Sequence, residues 1–210
     1  MSLANTCHLG GHAGRTHIDE GALRCLQGRL PHLSSMLDIG CGPGGMMKVA
    51  SRLGMRWAGI DGDAAAGPTF CWDFTDGAFD HSFRYDLAWS VEFVEHVEER
   101  FLPNCLKAFQ LCDHVFMTHA PPGKQGHHHV NCRSQDYWLG AFAAAGFDFD
   151  PSLTSEIRAA STMRREFTRN TGLVFHRHEK CCLHSHKIAS VGIRPSGGEA
   201  TRGGMLHTPP

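Results

Sequence analysis

The chain has 210 residues, 41% hydrophobic and 20% charged, with a formal net charge of −1, which is enough for one well-buried core of moderate size. The balanced charge excludes binding to nucleic acid or anionic membranes through an overall basic field, although residues 1–150 hold 11 Lys+Arg against 17 Asp+Glu and residues 151–210 hold 9 against 4. The N-terminus lacks a charged-then-apolar leader and no apolar run approaches the ~20 residues of a bilayer span, so a cytoplasmic protein with no membrane attachment is expected. Nine scattered cysteines, an odd number, argue against a disulfide framework.

In chain order, Asp19 is placed to cap a helix whose apolar positions Ala22, Leu23, Leu26 and Leu30 follow helical spacing up to Pro31. Short apolar runs at Met36–Ile39, Arg56–Ile60, Thr69–Trp72, Tyr85–Trp89 and His114–Thr118 alternate with glycine-rich turns and helix-like segments. That alternation predicts crossover units and a parallel sheet. Helices are predicted over Met46–Leu53, ending at Gly54; from Pro103 through Gln110; and over Gln135–Ala145, capped by Ser134 and ending at Gly146. Phe147–Phe149, a helix from about Thr154 to Arg169 and a strand beginning at Gly172 complete the expected α/β fold, a doubly wound sheet of seven strands. Arg158, Arg164, Arg165 and Arg169 read as a solvated face of that last helix. The expected organisation is a flexible arm over 1–13, a domain over 14–178 and an extension over 179–210, flexible from 188 because Gly, Pro, Ser and Thr dominate there.

The sharpest motif is Leu37-Asp38-Ile39-Gly40-Cys41-Gly42-Pro43-Gly44-Gly45, between the first strand and the helix starting at Met46. Taken literally, Gly40, Gly42 and Gly45 satisfy the dinucleotide-binding spacing. Asp38, two residues before the first glycine, points to another ligand. A carboxylate there repels a pyrophosphate and attracts a cation such as the ammonium and sulfonium of S-adenosylmethionine, while the following helix N-terminus favours a carboxylate. Asp61, at the end of the second strand beside Gly62, suits ribose hydroxyls, and Asp73 with Phe74 follows the third strand where an adenine could be held. Three acids at consecutive strand ends converge on one edge of a parallel sheet.

With these residues in place the sequence resembles the class I S-adenosylmethionine-dependent methyltransferases over roughly residues 14–178. The resemblance implies that Asp38, Gly40, Cys41, Gly42, Asp61, Gly62, Asp73, Phe74 and Ser90 bind the cofactor. It also implies a last strand, Gly172–His176, running antiparallel beside the fifth, in an otherwise mostly parallel, Rossmann-like sheet.

After the fourth strand, Val91–Arg100 read as a helix places Glu92, Glu95 and His96 on one face. The Glu-x-x-Glu-His run is similar to the metal motif of small-RNA 2′-O-methyltransferases and ubiquinone-pathway O-methyltransferases. That similarity implies a divalent ion, Mg2+, Mn2+ or Zn2+, on Glu92, Glu95, His96 and a loop histidine, His129 with His128 next. A metal-free reading keeps Glu92, His96 and His129 as catalytic residues, with a histidine as general base. The run His176-Arg177-His178-Glu179-Lys180-Cys181-Cys182-Leu183-His184-Ser185-His186 fits no standard zinc spacing, although His176 and His178 share a strand face. Together these features predict methyl transfer to a hydroxyl of a small molecule or saccharide, the acceptor being the expected partner. The alternatives are a non-catalytic S-adenosylmethionine-binding or RNA-interaction module, an RNA 2′-O-methyltransferase, and an NAD-dependent oxidoreductase; a nucleic-acid partner is not favoured.

Overall fold

A computed structural model describes residues 8–9 and 11–178; the expectations for residues 179–210, including Cys181 to His186 and the tail from 188, lie outside them. Seven strands, β1 (Ser35–Ile39), β2 (Arg56–Asp61), β3 (Phe70–Cys71), β4 (Tyr85–Ser90), β5 (Cys112–Met117), β6 (Phe147–Phe149) and β7 (Leu173–Arg177), form one sheet in the order β3-β2-β1-β4-β5-β7-β6. β1 pairs in parallel with β2 and β4, β2 with β3, and β4 with β5, whereas β7 runs antiparallel to both β5 and β6. The order reverses at β1, so the carboxyl ends of β1, β2 and β4 flank the crevice where ligands of such sheets bind.

The helices are α1 (Glu20–Arg29), α2 (Met46–Arg52), α3 (Leu102–Phe109), α4 (Gln135–Ala144), α5 (Pro151–Ala160) and α6 (Phe167–Thr171). Both sheet faces are covered. Leu37, Ile39, Val115, Met117 and Phe175 face one buried cluster with Phe109, Trp138 and Phe142, while Met36, Leu87, Trp89, Phe116 and Val174 face the other with Leu23, Leu26 and Ile157. Alternate residues of the same strands thus serve opposite cores, and the central strands read as unbroken apolar runs.

The caps fall where the side chains demand them. Asp19 accepts from the Ala22 amide at 3.1 Å and Ser134 from that of Tyr137 at 3.4 Å, and Gly54 and Gly146 take the positive φ that ends α2 and α4. The expected single helix from Thr154 to Arg169 is two helices. Asp150 caps α5 early by accepting from Leu153 at 2.8 Å, with Pro151 in the first turn. The chain then leaves the helix because Ser161 Oγ (2.6 Å) and the Thr162 amide (2.9 Å) both donate to buried Asp19. The arginines are correspondingly not one solvated face. Arg158 donates to Gly172 O at 2.8 Å, and Arg169 donates to Ser161 O and Met163 O across the break at 3.1 and 2.8 Å.

A second correction concerns Val91–Arg100, which is not a helix. Glu92 has φ +54°, a left-handed conformation that stops helical propagation, and only single 3-10 turns follow at Val94–His96 and Glu99–Phe101.

Candidate active site

β1 delivers Asp38 to the crevice, and the chain then turns through Gly40 (φ +75°) and Gly42 (φ +48°). Gly40 is sterically obligatory, since a Cβ there would lie 2.2 Å from the Phe93 ring. Asp38 is 3% exposed and accepts from Trp57 Nε1 at 3.2 Å. Burial pushes its carboxyl up to about 7 against the opposing Trp57 hydrogen bond, with the Asp61 charge adding to the rise. Burial likewise raises the Cys41 thiol, so this cysteine is an inert part of the wall.

A cavity of about 260 Å³ opens here, and Asp38, Gly40, Cys41, Gly42, Asp61, Gly62, Asp73 and Phe74 line it. Asp61 Oδ2 accepts from the Gly42 amide at 2.8 Å and Oδ1 from Asp63 at 2.9 Å, which fixes the glycine turn against the end of β2. Asp73 Oδ1 accepts from Thr75 at 2.9 Å. Burial raises the Asp73 carboxyl, but the hydrogen bonds from Thr75 and His8 outweigh it and hold the group below the ordinary value. Ser90 does not line the cavity: it is fully buried and donates to Ile39 O at 2.9 Å, tying β4 to β1.

Glu92, His96 and His129 line the same cavity. One ligand atom each from Glu95, His96 and His129 lies within 4.8 Å of the others. A shared helix face does not bring them together. The Val130 and Asn131 amides both donate to Glu95 O at 3.0 Å, pinning the loop after β5 onto the turn that carries Glu95 and His96. His129 Nδ1 donates to Lys124 O at 3.0 Å, which leaves the lone pair on Nε2. Both Glu95 carboxylate oxygens and His96 Nδ1 are buried without a hydrogen-bond partner. Such orphaned groups are costly in an apolar interior. They fit a cation, for which an oxygen and imidazole donor set is suitable. Burial, then the Glu92 charge, pushes the Glu95 carboxyl up, and burial with His129 nearby lowers His96 to about 4.

Glu92 stands outside that three-residue group. Its amide donates to Thr118 Oγ1 at 2.9 Å and its Oε1 accepts from the same hydroxyl at 3.0 Å, so Thr118 clamps both ends of a residue in a strained backbone conformation. Burial raises its carboxyl despite the Thr118 hydrogen bond.

Sequence reasoning missed the N-terminal contribution. His8, Leu9, Gly11, His12, Arg15, Thr16 and His17 also line the cavity. His8 Nε2 lies 2.8 Å from Asp73 Oδ2, His12 Nε2 lies 3.2 Å from Asp63 Oδ2, and Thr16 Oγ1 accepts from the Gly45 amide at 3.0 Å. The one local signal was two histidines among the glycines 10, 11 and 14.

The sheet order and its antiparallel last pair of strands are those of the class I methyltransferase fold. Solved structures that share it include the sugar N-methyltransferase KedS8 from Streptoalloteichus (15% identity, TM-score 0.56, 76% of this chain and 87% of that one). DesVI of Streptomyces venezuelae matches at 13% identity and TM-score 0.57, over 80% of this chain and 95% of that one. A TehB-like SAM-dependent methyltransferase from Corynebacterium glutamicum matches at 16% identity and TM-score 0.55, over 79% and 90%. No protein-family model matches the sequence, and no curated protein matches it.

Proposed function

We propose that the chain is an S-adenosylmethionine-dependent methyltransferase that methylates a hydroxyl oxygen of a small molecule or saccharide. The observation that carries this reading is one cavity lined both by strand-end carboxylates around a glycine turn and by Glu92, His96 and His129. Structures sharing the fold include a 1,6-didemethyltoxoflavin-N1-methyltransferase and a magnesium protoporphyrin IX methyltransferase, both crystallised with S-adenosylhomocysteine, which supports the cofactor assignment. S-adenosylmethionine supplies a methyl group on a cationic sulfur for in-line displacement. Asp38 meets its cationic end, the backbone at Gly40 and Gly42 permits close approach, Asp61 holds the ribose, and Asp73 with Phe74 holds the adenine. Ser90 acts behind the wall by fixing β4 to β1.

Oxygen is favoured over nitrogen as acceptor because a hydroxyl must lose a proton before or during transfer, and the cavity is lined by groups suited to take one. Glu92, with its carboxyl raised and its position fixed by Thr118, is the proton acceptor. Glu95, His96 and His129 are the residues that would hold a divalent cation, which would supply positive charge to acidify the hydroxyl. The domain is read as running through residue 178, with residues 8–17 belonging to the cofactor site.

The test is a radiolabelled-methyl screen across small-molecule, glycan and RNA acceptors. Label should appear on an oxygen, Glu95→Ala and His129→Ala should abolish transfer while S-adenosylhomocysteine still binds in calorimetry, and chelator should reproduce the loss until metal is added back. Full activity in chelator with a dead His129→Ala variant would remove the metal and leave a histidine base; label on nitrogen would overturn the acceptor class.

A further inference from the structure

At the opposite end of the sheet from the cavity beside the glycine turn, β5 carries as its third residue a histidine that apolar strand packing does not require. His114 is half-buried on the face that carries Phe116, and its direct antiparallel partner on β7 is His176. Both line a separate cavity of about 170 Å³, together with Asp150 and Leu153. His32, from the turn between α1 and β1, lays its ring against His114 with centroids 5.2 Å apart and Nε2 3.2 Å from Nε2.

We propose that His32, His114 and His176 form a second metal site, for Zn2+ or another transition ion that prefers imidazole. Two imidazoles bound at the usual zinc–nitrogen distance of ~2.0–2.1 Å with tetrahedral angles have their nitrogens roughly 3.3 Å apart, and the His32–His114 separation of 3.2 Å matches that bite. His176 is the third ligand. Its ring is half-exposed and now faces Asp148, with Nε2 3.9 Å from Oδ2; its ligand atoms do not yet cluster with those of His32 and His114, and binding would require a turn of this side chain toward its cross-strand neighbour. The bound ion would clamp the α1–β1 turn onto β5 and β7, far from the glycine turn and the acceptor end. The competing account of the close nitrogens is a plain N–H···N bond between neutral rings, which predicts no affinity for metal.

The experiment uses the full chain in a Glu95→Gln/His129→Ala background, so that the reaction-cavity donors do not report, and repeats the comparison in the otherwise wild-type protein. Zinc titration by calorimetry is paired with thermal melts and with imidazole proton NMR, in which His32→Asn and His114→Asn assign the signals. Because residues 181–186 also carry cysteines and histidines, the readout is the difference between variants. Zinc should move the His32 and His114 signals at micromolar concentration and raise the melting temperature. His32→Asn, on the exposed turn, should remove one equivalent of zinc and that thermal gain, and His176→Ala should weaken the same equivalent at least tenfold. Equal stoichiometry and equal thermal gain in His32→Asn and the parent, or unmoved His114 signals with zinc in excess, would overturn the site and leave the hydrogen bond.

Discussion

Asp38, in the cavity wall, and Glu95, buried behind His96, carry two of the least comfortable charges of the molecule, and each makes pH a probe of what binds beside it. Burial favours the protonated form of Asp38 up to about pH 7, whereas a cationic ligand favours the ionised form. Binding S-adenosylmethionine should therefore release a proton below that pH, so affinity should rise by up to about tenfold per pH unit as pH approaches 7 and level off above it. Asp38→Asn should bind weakly with no such slope. Calorimetry in buffers of different ionisation enthalpy measures the proton directly, and a flat profile in the wild type would show that Asp38 is already ionised in the empty cavity. Glu95 has the same sign with a different consequence. Its folded-state pKa lies above its unfolded value, so its contribution is fully present below the ordinary glutamate range and is lost as pH rises through the folded value. In chelator the protein should lose stability as pH climbs into that range. Glu95→Gln should flatten the loss and gain about 1–3 kcal/mol at the alkaline end, the scale of an unpaired buried charge removed. Added Mg2+, an oxygen-preferring ion that an all-imidazole site does not favour, should stabilise the wild type and not the variant in thermal melts.

At the scale of elements, the parts legible in the sequence were those set by local chemistry. Asp19, Ser134, Gly54 and Gly146 end helices through bonds or φ angles that a few neighbouring residues define, and the central strands announce themselves as apolar runs because both of their faces are buried. What was not legible depends on partners far along the chain. The i, i+3, i+4 reading of Glu92, Glu95 and His96 assumed a helix, yet Glu92 is held left-handed by Thr118, 26 residues away, and the His129 loop arrives through Glu95 O. Glu95, His96 and His129 come together through that loop and not through a shared helix face, and Glu92 stands apart from them. The break after α5 is of the same kind, since buried Asp19 caps α1 and also holds Ser161 and Thr162 across 142 and 143 residues. Asp19→Ala should therefore cost more than an ordinary cap. A lost N-cap is worth ~0.5–2 kcal/mol and a buried donor left unpaired roughly 1–3. We expect a loss of about 2–4 kcal/mol in denaturant unfolding, with Asp19→Asn recovering part of it. A loss within the range of a simple cap would show that Ser161 and Thr162 find other acceptors.

For the molecule as a whole, cofactor site and N-terminal segment form one device, although composition assigns residues 1–13 to a flexible arm. Charged and polar side chains spaced among glycines give no periodicity, and the signal that places them lies in their partners, with His8 reaching Asp73 across 65 residues and His12 reaching Asp63 across 51. The segment is also fastened through its backbone and through shape. His127 Nε2 donates to Leu9 O at 3.3 Å, and a Cβ on Gly62 would lie 2.6 Å from Leu9, so the Leu9 side chain packs directly on the turn after β2. These bonds join the segment to three separate walls of the cavity: the end of β2, the loop after β3 and the loop after β5. A cofactor held beneath it can leave only if several of them open together. With each hydrogen bond contributing ~0.5–1.5 kcal/mol, His8→Ala/His12→Ala should raise the dissociation rate of S-adenosylhomocysteine by about tenfold or more, while melting temperature changes little because the described residues 8–9 and 11–13 are not part of the two buried clusters; deletion of residues 1–13 should raise the rate by at least as much. Stopped-flow displacement measures the rate. An unchanged rate in both variants would show that the segment lies beside the exit without closing it, and that cofactor release is governed by the strand-end carboxylates alone.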